Sequence, residues 1–198
     1  MSAPETNTLF PVFLKLEELR LLIVGGGYVG LEKLSAVLAN SPATQVRLVA
    51  PQINEGIRTL AHRYPNVSLD ERIFLPADLD GADIVLIAVN DPMESSRIRM
   101  LAKERGKLVN VADQPALCDF YLGSIVQKGN LKLAISTNGK SPTVAKRLRA
   151  LLSEWLPDEL DTVLQQMHRI RHSLQGDFAG KVRQLNRITR VFSTKNEE

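Results

Sequence analysis

Gly25, Gly27 and Gly30 stand in G-x-G-x-x-G spacing within the stretch LLIVGGGYVG, between an apolar run and a segment of helical periodicity. Glycines so spaced do three jobs for a phosphate-bearing ligand. Gly25 permits a tight turn, Gly27 lets the backbone approach a pyrophosphate, and Gly30 lets helix and strand pack closely. The following helix start adds unpaired N–H groups and the positive end of a dipole. In this strand-to-helix context the pattern predicts dinucleotide binding; the bland alternative is a glycine-rich bend.

A nicotinamide cofactor usually meets an acid at the end of the second strand. That end reads RLVAPQIN here, with Ala50, Pro51 and Gln52 where the acid would stand, so Gln52 or the backbone takes the ribose. No basic cluster sits there for a 2′-phosphate, and Arg58 lies some way downstream, which favours NAD over NADP. Asn90 and Asp91, in VNDP, close an apolar strand at the edge where open α/β sheets bind ligands. Asp91 is equally a helix cap. Asp113, in NVADQP, ends the next strand at the same edge and can orient or accept a proton; alone, it would be a turn former before a proline. Thr137, Asn138, Lys140 and Ser141 belong to STNGKSPTVAKRLR, a polar turn leading into a helix start with basic residues. Hydroxyls and cations at a helix start suit a carboxylate or phosphate; simple capping is the alternative for each residue singly.

Other chemistries find little support. His168 and His172, at i and i+4, would suit a metal, but Arg169 and Arg171 beside them indicate a basic helix face. No Tyr-x-x-x-Lys pair, G-x-S-x-G elbow or Walker A sequence occurs. One cysteine, Cys118, excludes an internal disulfide and a multi-cysteine zinc site, and fits a reducing cytoplasm. No apolar run approaches the roughly 18 residues of a membrane span, and the amino terminus shows no secretory leader. The net charge of +3 is unevenly spread: Lys140 to Arg149 holds four basic residues and no acid, and Arg169 to Lys195 holds seven against Asp177 alone. Such asymmetry indicates an anionic partner or a solvated face.

The elements that must position these residues follow from periodicity. Strands are expected over 19–25, 46–49, 67–74, 84–89 and 108–111, with helices over 28–40, 53–64 and 92–105 between them. Strands apolar on both faces, alternating with helices, belong to a doubly wound parallel sheet. The reading is therefore an α/β, Rossmann-like domain over residues 1–113. Two segments, 119–127 and 131–136, flank KGN and read as an antiparallel hairpin. Helical sequence follows from Ser141, with STKNEE expected to fray.

Together, FPVFLKLEELRLLIVGGGYVG, IAVNDP, VNVADQP and LKLAISTNGKSPTVAKRLRALL resemble the precorrin-2 dehydrogenase family, the unit that also forms the amino-terminal part of siroheme synthases. The resemblance runs from about Phe10 to about Leu160. It implies NAD-dependent oxidation of precorrin-2 to sirohydrochlorin, on a siroheme or cobalamin route; some members also insert ferrous iron. It implies a homodimer exchanging a hairpin and helix, here roughly residues 114–148, ahead of a helical carboxyl-terminal domain at 149–198. On this resemblance Asp113 is the key aspartate. Gly25, Gly26, Gly27, Tyr28, Val29, Pro51, Gln52, Asn90 and Asp91 contact the cofactor, and Thr137 supplies a hydroxyl where relatives often carry serine. Basic residues after Gly139 would meet the substrate's carboxylates, without nucleic acid or membrane. No bound metal is implied, and iron insertion stays open. Larger members add a methyltransferase domain for which 198 residues leave no room, so methylation would fall to another protein.

Two other readings compete. A non-catalytic NAD-binding regulatory domain would explain the glycines but not the Asp113 and Thr137 segments. A nucleic-acid module would use the basic tail, yet that tail offers few aromatics for stacking.

Overall fold

The structure, a computed structural model, describes residues 6–173 and 178–188. The chain divides into two compact units, one ending at Leu122 and the other beginning at Gly123.

In the first unit, five strands form one parallel sheet: β1 (Arg20–Val24), β2 (Gln45–Ala50), β3 (Val67–Glu71), β4 (Ile84–Ile87) and β5 (Leu108–Val111). Their order is β3-β2-β1-β4-β5, with Ile23 opposite both Leu48 and Leu86. Three helices connect them, α1 (Tyr28–Asn40), α2 (Glu55–Arg63) and α3 (Pro92–Glu104). Side chains alternate across a strand, so one β1 run feeds two cores. Leu21 and Ile23 pack with Leu34, Val37, Leu48 and Ile57 under α1 and α2. Leu22 and Val24 pack with Leu79, Val85, Ile98 and Ala102 under α3. Apolar strands covered on both faces are what a doubly wound sheet requires. The winding reverses between β1 and β4, and the carboxyl ends of the strands at such a reversal are where open α/β sheets bind ligands.

The segment after β5 differs from its sequence reading. Asp119 does not begin a hairpin strand. Its N–H donates to the Val109 carbonyl at 2.8 Å, and its carboxylate accepts from the Val109 N–H at 2.9 Å. The Asn110 amide donates to the Phe120 carbonyl at 2.8 Å. Residues 112–120 are therefore a loop stapled back onto the edge of β5, and they complete the first unit.

The second unit carries the hairpin β6 (Ser124–Lys128) and β7 (Leu131–Ile135), then α4 (Pro142–Trp155), α5 (Leu160–Ser173) and α6 (Phe178–Ile188). The hairpin turns at Gly129, whose φ is +55°. Asp161 of α5 accepts hydrogen bonds from the Asn130 backbone (2.7 Å) and side chain (2.8 Å). A Cβ on Gly129 would lie 2.2 Å from the Asp161 side chain, so a larger residue there would have to displace Asp161. Val126 and Ala145 are the buried apolar residues of this unit among the described ones. On α4, Val144, Leu148, Leu151 and Trp155 recur at helical spacing and are all exposed. The expected fraying of STKNEE, and the basic positions Arg190 and Lys195, lie outside the described residues.

Candidate active site

The three motif glycines occupy three different environments. Gly25 has φ +121°, and a Cβ there would lie 2.2 Å from the Ala88 carbonyl oxygen, so the end of β4 touches the turn after β1. Gly30 sits against the same turn: its Cβ would lie 2.1 Å from the Gly25 carbonyl oxygen. Around Gly27 an added Cβ meets nothing within 4 Å among the described residues. Gly25 and Gly30 are fixed by packing, whereas Gly27 faces open space. Gly26, not one of the three, is also crowded: its Cβ would lie 2.3 Å from the Gln52 carbonyl oxygen.

Gly27 is the N-cap of α1 and gives it no side-chain hydrogen bond, and no acid stands in the first turn. The next three helices differ. Asn54 accepts from the Gly56 N–H at 2.8 Å, Asp91 from the Met93 N–H at 2.8 Å, and Ser141 from the Val144 N–H at 3.2 Å. A helix leaves its first N–H groups without intrahelical partners. On α1 they face the space opened by Gly27, as an incoming pyrophosphate requires. The residues present thus fit a dinucleotide.

Backbone contacts gather the other candidates of the first unit around this opening. The Asn54 N–H donates to the Gly26 carbonyl at 2.8 Å, which holds exposed Pro51 and Gln52 beside the glycine loop. Ala88 abuts Gly25, so exposed Asn90 follows directly. The Ala112 N–H donates to the Ile87 carbonyl at 2.9 Å, which brings the loop after β5 alongside the end of β4. Tyr28 is 80% exposed at the start of α1, with Val29 half-buried next to it. Asp91 caps α3, the structural role its sequence context allows, and stands at the same edge next to Asn90.

Asp113 is exposed and has φ +57°, the left-handed region that non-glycine residues seldom enter. Its loop is braced from several sides. Arg99 of α3 donates to the Leu117 carbonyl at 2.8 Å, and Lys103 pairs with Asp119 at 2.8 Å. The Val111 N–H and carbonyl both meet the Cys118 sulfur at 3.2 Å. Burial pushes the Cys118 thiol up, against the N–H bond from Val111, so it serves as a packed anchor. Sequence reasoning missed Asn110, Cys118 and Asp119 as the supports of Asp113. Their only local signal is an amide, a thiol and an acid close to the end of an edge strand.

Thr137, Asn138, Lys140 and Ser141 belong to the second unit and are described on it alone. The Thr137 hydroxyl accepts from the Ser141 N–H at 3.2 Å and donates to the Ser141 carbonyl at 3.1 Å. Asn138 has φ +55°, and its N–H donates to the Ser136 hydroxyl at 3.2 Å. The Lys140 N–H donates to the Thr137 carbonyl at 3.0 Å. These residues shape one another into a tight turn ahead of α4, with exposed Lys140, Lys146, Arg147 and Arg149 beyond it. Among the described residues no group of three or more His, Cys, Asp or Glu could hold a metal ion. His168 and His172 stack edge to face, with ring centroids 4.4 Å apart.

Comparisons with known proteins agree with this architecture. A siroheme synthase of Pseudomonas fluorescens is 36% identical over 166 residues, covering 84% of this chain and 35% of that protein. One from Nitrosococcus oceani is 30% identical over 197 residues, covering 95% and 42%. The chain thus spans well under half the length of these curated relatives. The solved structure of "SirC, precorrin-2 dehydrogenase" superposes with a TM-score of 0.71 at 24% identity, covering 91% of this chain and 89% of that one, and shares the fold. Residues 128–154 match the family described as "Sirohaem biosynthesis protein central". Residues 12–124, more than half of the chain, match the family described as "Putative NAD(P)-binding". The chain therefore belongs to that NAD(P)-binding family, in keeping with its glycine loop and strand order.

Proposed function

We propose that the chain oxidises precorrin-2 to sirohydrochlorin using NAD. One observation carries this reading: at the carboxyl edge of the first sheet, backbone contacts bring an uncapped α1 alongside a braced loop presenting Asp113. When bound, NAD accepts the hydride that this oxidation releases. The chain's own residues then have three tasks. Gly25, Gly26 and Gly27, with Tyr28 and Val29, seat the pyrophosphate over the start of α1. Pro51, Gln52 and Asn90 flank the ribose positions. Asp113 takes the proton that leaves the macrocycle as its hydride departs, so two hydrogens are removed as H⁻ and H⁺. Positioning is the protein's main contribution, since the redox chemistry is the cofactor's.

The second unit completes the reading. Lys140, Lys146, Arg147 and Arg149 offer charge-assisted hydrogen bonds to the carboxylates of a tetrapyrrole. Thr137, Asn138 and Ser141 hold the turn that carries them. The exposed apolar stripe of α4, on a unit with so few buried residues, supports a homodimer in which this unit is the contact. A cytoplasmic setting suits the single thiol, and among the described residues no helix is long and apolar enough to cross a membrane.

The deciding experiment is anaerobic incubation with precorrin-2 and NAD⁺, following NADH absorbance and product spectrum. NAD⁺ binding without turnover would replace this reading with a non-catalytic NAD-binding regulatory domain. Adding ferrous iron to the product tests iron insertion, the further activity some relatives carry.

A further inference from the structure

The dinucleotide crevice lacks the acid that usually follows the second strand, yet an acid reaches that place from the next strand. Ala50, the last residue of β2, is in register with Glu71, the last residue of β3. The Glu71 carboxylate accepts a hydrogen bond from the Arg58 guanidinium of α2 at 2.6 Å. Arg58 also lies 3.9 Å from Glu55. Hydrogen bonding from Arg58 first, and then also from the Ile53 backbone, outweighs desolvation and holds the Glu71 carboxyl below its ordinary range. Ile53 belongs to the PQIN loop, whose Asn54 N–H bonds the Gly26 carbonyl. Glu71 is therefore tied to the loop that lies against the glycine turn, and it holds the arginine that follows that loop. Both side chains are nearly half exposed, at 40% for Arg58 and 47% for Glu71, so a ligand can reach the pair.

We propose that the Glu71–Arg58 pair sets the choice between NAD and NADP, with Glu71 withholding Arg58 from a 2′-phosphate. In folds of this kind the adenosine ribose lies beyond the carboxyl end of the second strand, where a free 2′-hydroxyl meets an acid and a 2′-phosphate meets an arginine. Here both groups are present and bonded to each other, and Glu55 beside Arg58 leaves the cluster net negative. A 2′-phosphate arriving there meets the Glu71 charge and an arginine already bonded, so it is rejected by repulsion as well as by lack of a partner. A 2′-hydroxyl carries no such penalty.

This inference rests on the dinucleotide reading of the crevice, and a binding experiment separates the two. NAD⁺ and NADP⁺ are titrated calorimetrically into the full chain at matched ionic strength. The wild type is expected to favour NAD⁺. Glu71→Gln, which removes the charge and keeps the shape, is expected to improve the NADP⁺ to NAD⁺ affinity ratio by about tenfold or more, the scale of a charge-assisted hydrogen bond gained. Adding Arg58→Ala to that variant is expected to abolish the gain, and Arg58→Ala alone to produce none. Glu71→Ser repeats the readout by truncation should the glutamine variant fold poorly. An unchanged ratio in both Glu71 variants, an equal weakening of the two cofactors, or a gain that survives loss of Arg58 overturns the proposal. Wild-type protein that binds neither dinucleotide instead overturns the crevice reading and removes this inference with it.

Discussion

The two edges of the same five-stranded sheet are built on opposite principles. At the amino edge, side chains close off the backbone. Asp83 accepts from the Arg20 N–H at 2.8 Å and pairs with its guanidinium at 3.1 Å. The Asn66 amide donates to the Pro42 carbonyl at 3.0 Å, and the Thr44 hydroxyl donates to the Ser41 carbonyl at 2.9 Å. At the carboxyl edge the opposite holds: Gly27 leaves α1 without a side-chain cap, and Asp113 stands exposed at a left-handed φ. Polar groups satisfied within the chain hold a fold together. Groups left facing solvent at a strained turn are available to a ligand. The amino edge, which also holds a cavity lined by Arg20, Gln45, Arg47, Asn66 and Asp78, thus satisfies its polar groups within the chain, whereas the start of α1 and the Asp113 loop at the carboxyl edge leave theirs to a ligand.

The sharpest way to break this contrast is at Asp113. Asp113→Ala is expected to lower turnover about 10²-fold or more, the range of a positioned acid–base group, while NAD⁺ affinity stays as in the wild type. Steady-state kinetics and calorimetry on one preparation check both halves. The left-handed φ makes Asp113→Asn the better-matched companion, since asparagine tolerates that region; it should fail in turnover just as the alanine variant does. Equal turnover in either variant would make the loop a mere turn.

Next come two glycines that the motif treats alike and the structure does not. Gly30→Ala places a Cβ 2.1 Å from a carbonyl oxygen, so helix and turn must separate. A destabilisation of about 2 kcal/mol is expected, the scale of overpacking in a tight site, read as a lower denaturation midpoint. Gly27→Ala meets no neighbour within 4 Å, so its midpoint should be unmoved. Its methyl group would instead fill the approach of the pyrophosphate, lowering NAD⁺ affinity by about tenfold, or about 1.4 kcal/mol. Loss of stability at Gly27, or of affinity alone at Gly30, would reverse the assignment.

The sequence spoke clearly wherever the signal is local. α1 spans Tyr28–Asn40 and β5 spans Leu108–Val111, the bounds that apolar spacing and the flanking glycine, serine and proline predict. The glycine loop was legible for the same reason: turn, approach and packing are properties of neighbours in the chain. Asp119 was misplaced because its partners, Val109 and Lys103, are brought to it by tertiary folding; its own stretch, DFYLGSIVQ, has strand-like composition. Glu71 and Arg58 lie 13 residues apart and meet only through the β2–β3 register. Thr137 was read correctly as part of a polar turn, but not as the brace of Ser141, because a hydroxyl gives no sign of where it points. Motif and period disclose elements and loops, whereas charge pairing across elements needs the fold.

The smallest effect lies at the amino edge and sharpens the contrast through pH. Hydrogen bonding from the Arg20 side chain, then from its backbone, lowers the Asp83 carboxyl from 3.8 to about 2. A carboxyl whose pKa is lower folded than unfolded stabilises the fold fully above the unfolded value. That contribution is lost as pH falls through the folded value. Asp83 should therefore support the fold at neutral pH and cease to do so between about pH 4 and pH 2. The pair is partly exposed and screened, so Asp83→Asn should cost only about 1 kcal/mol at neutral pH. Urea denaturation of wild type and variant should give curves separated at pH 7 that converge as the pH approaches 2. The variant should leave NAD⁺ affinity untouched, since Asp83 lies at the amino edge of the sheet and has no part at the carboxyl edge. A fall in NAD⁺ affinity in Asp83→Asn would show that the two edges are coupled through β1 and β4, and the division of labour between them would fail.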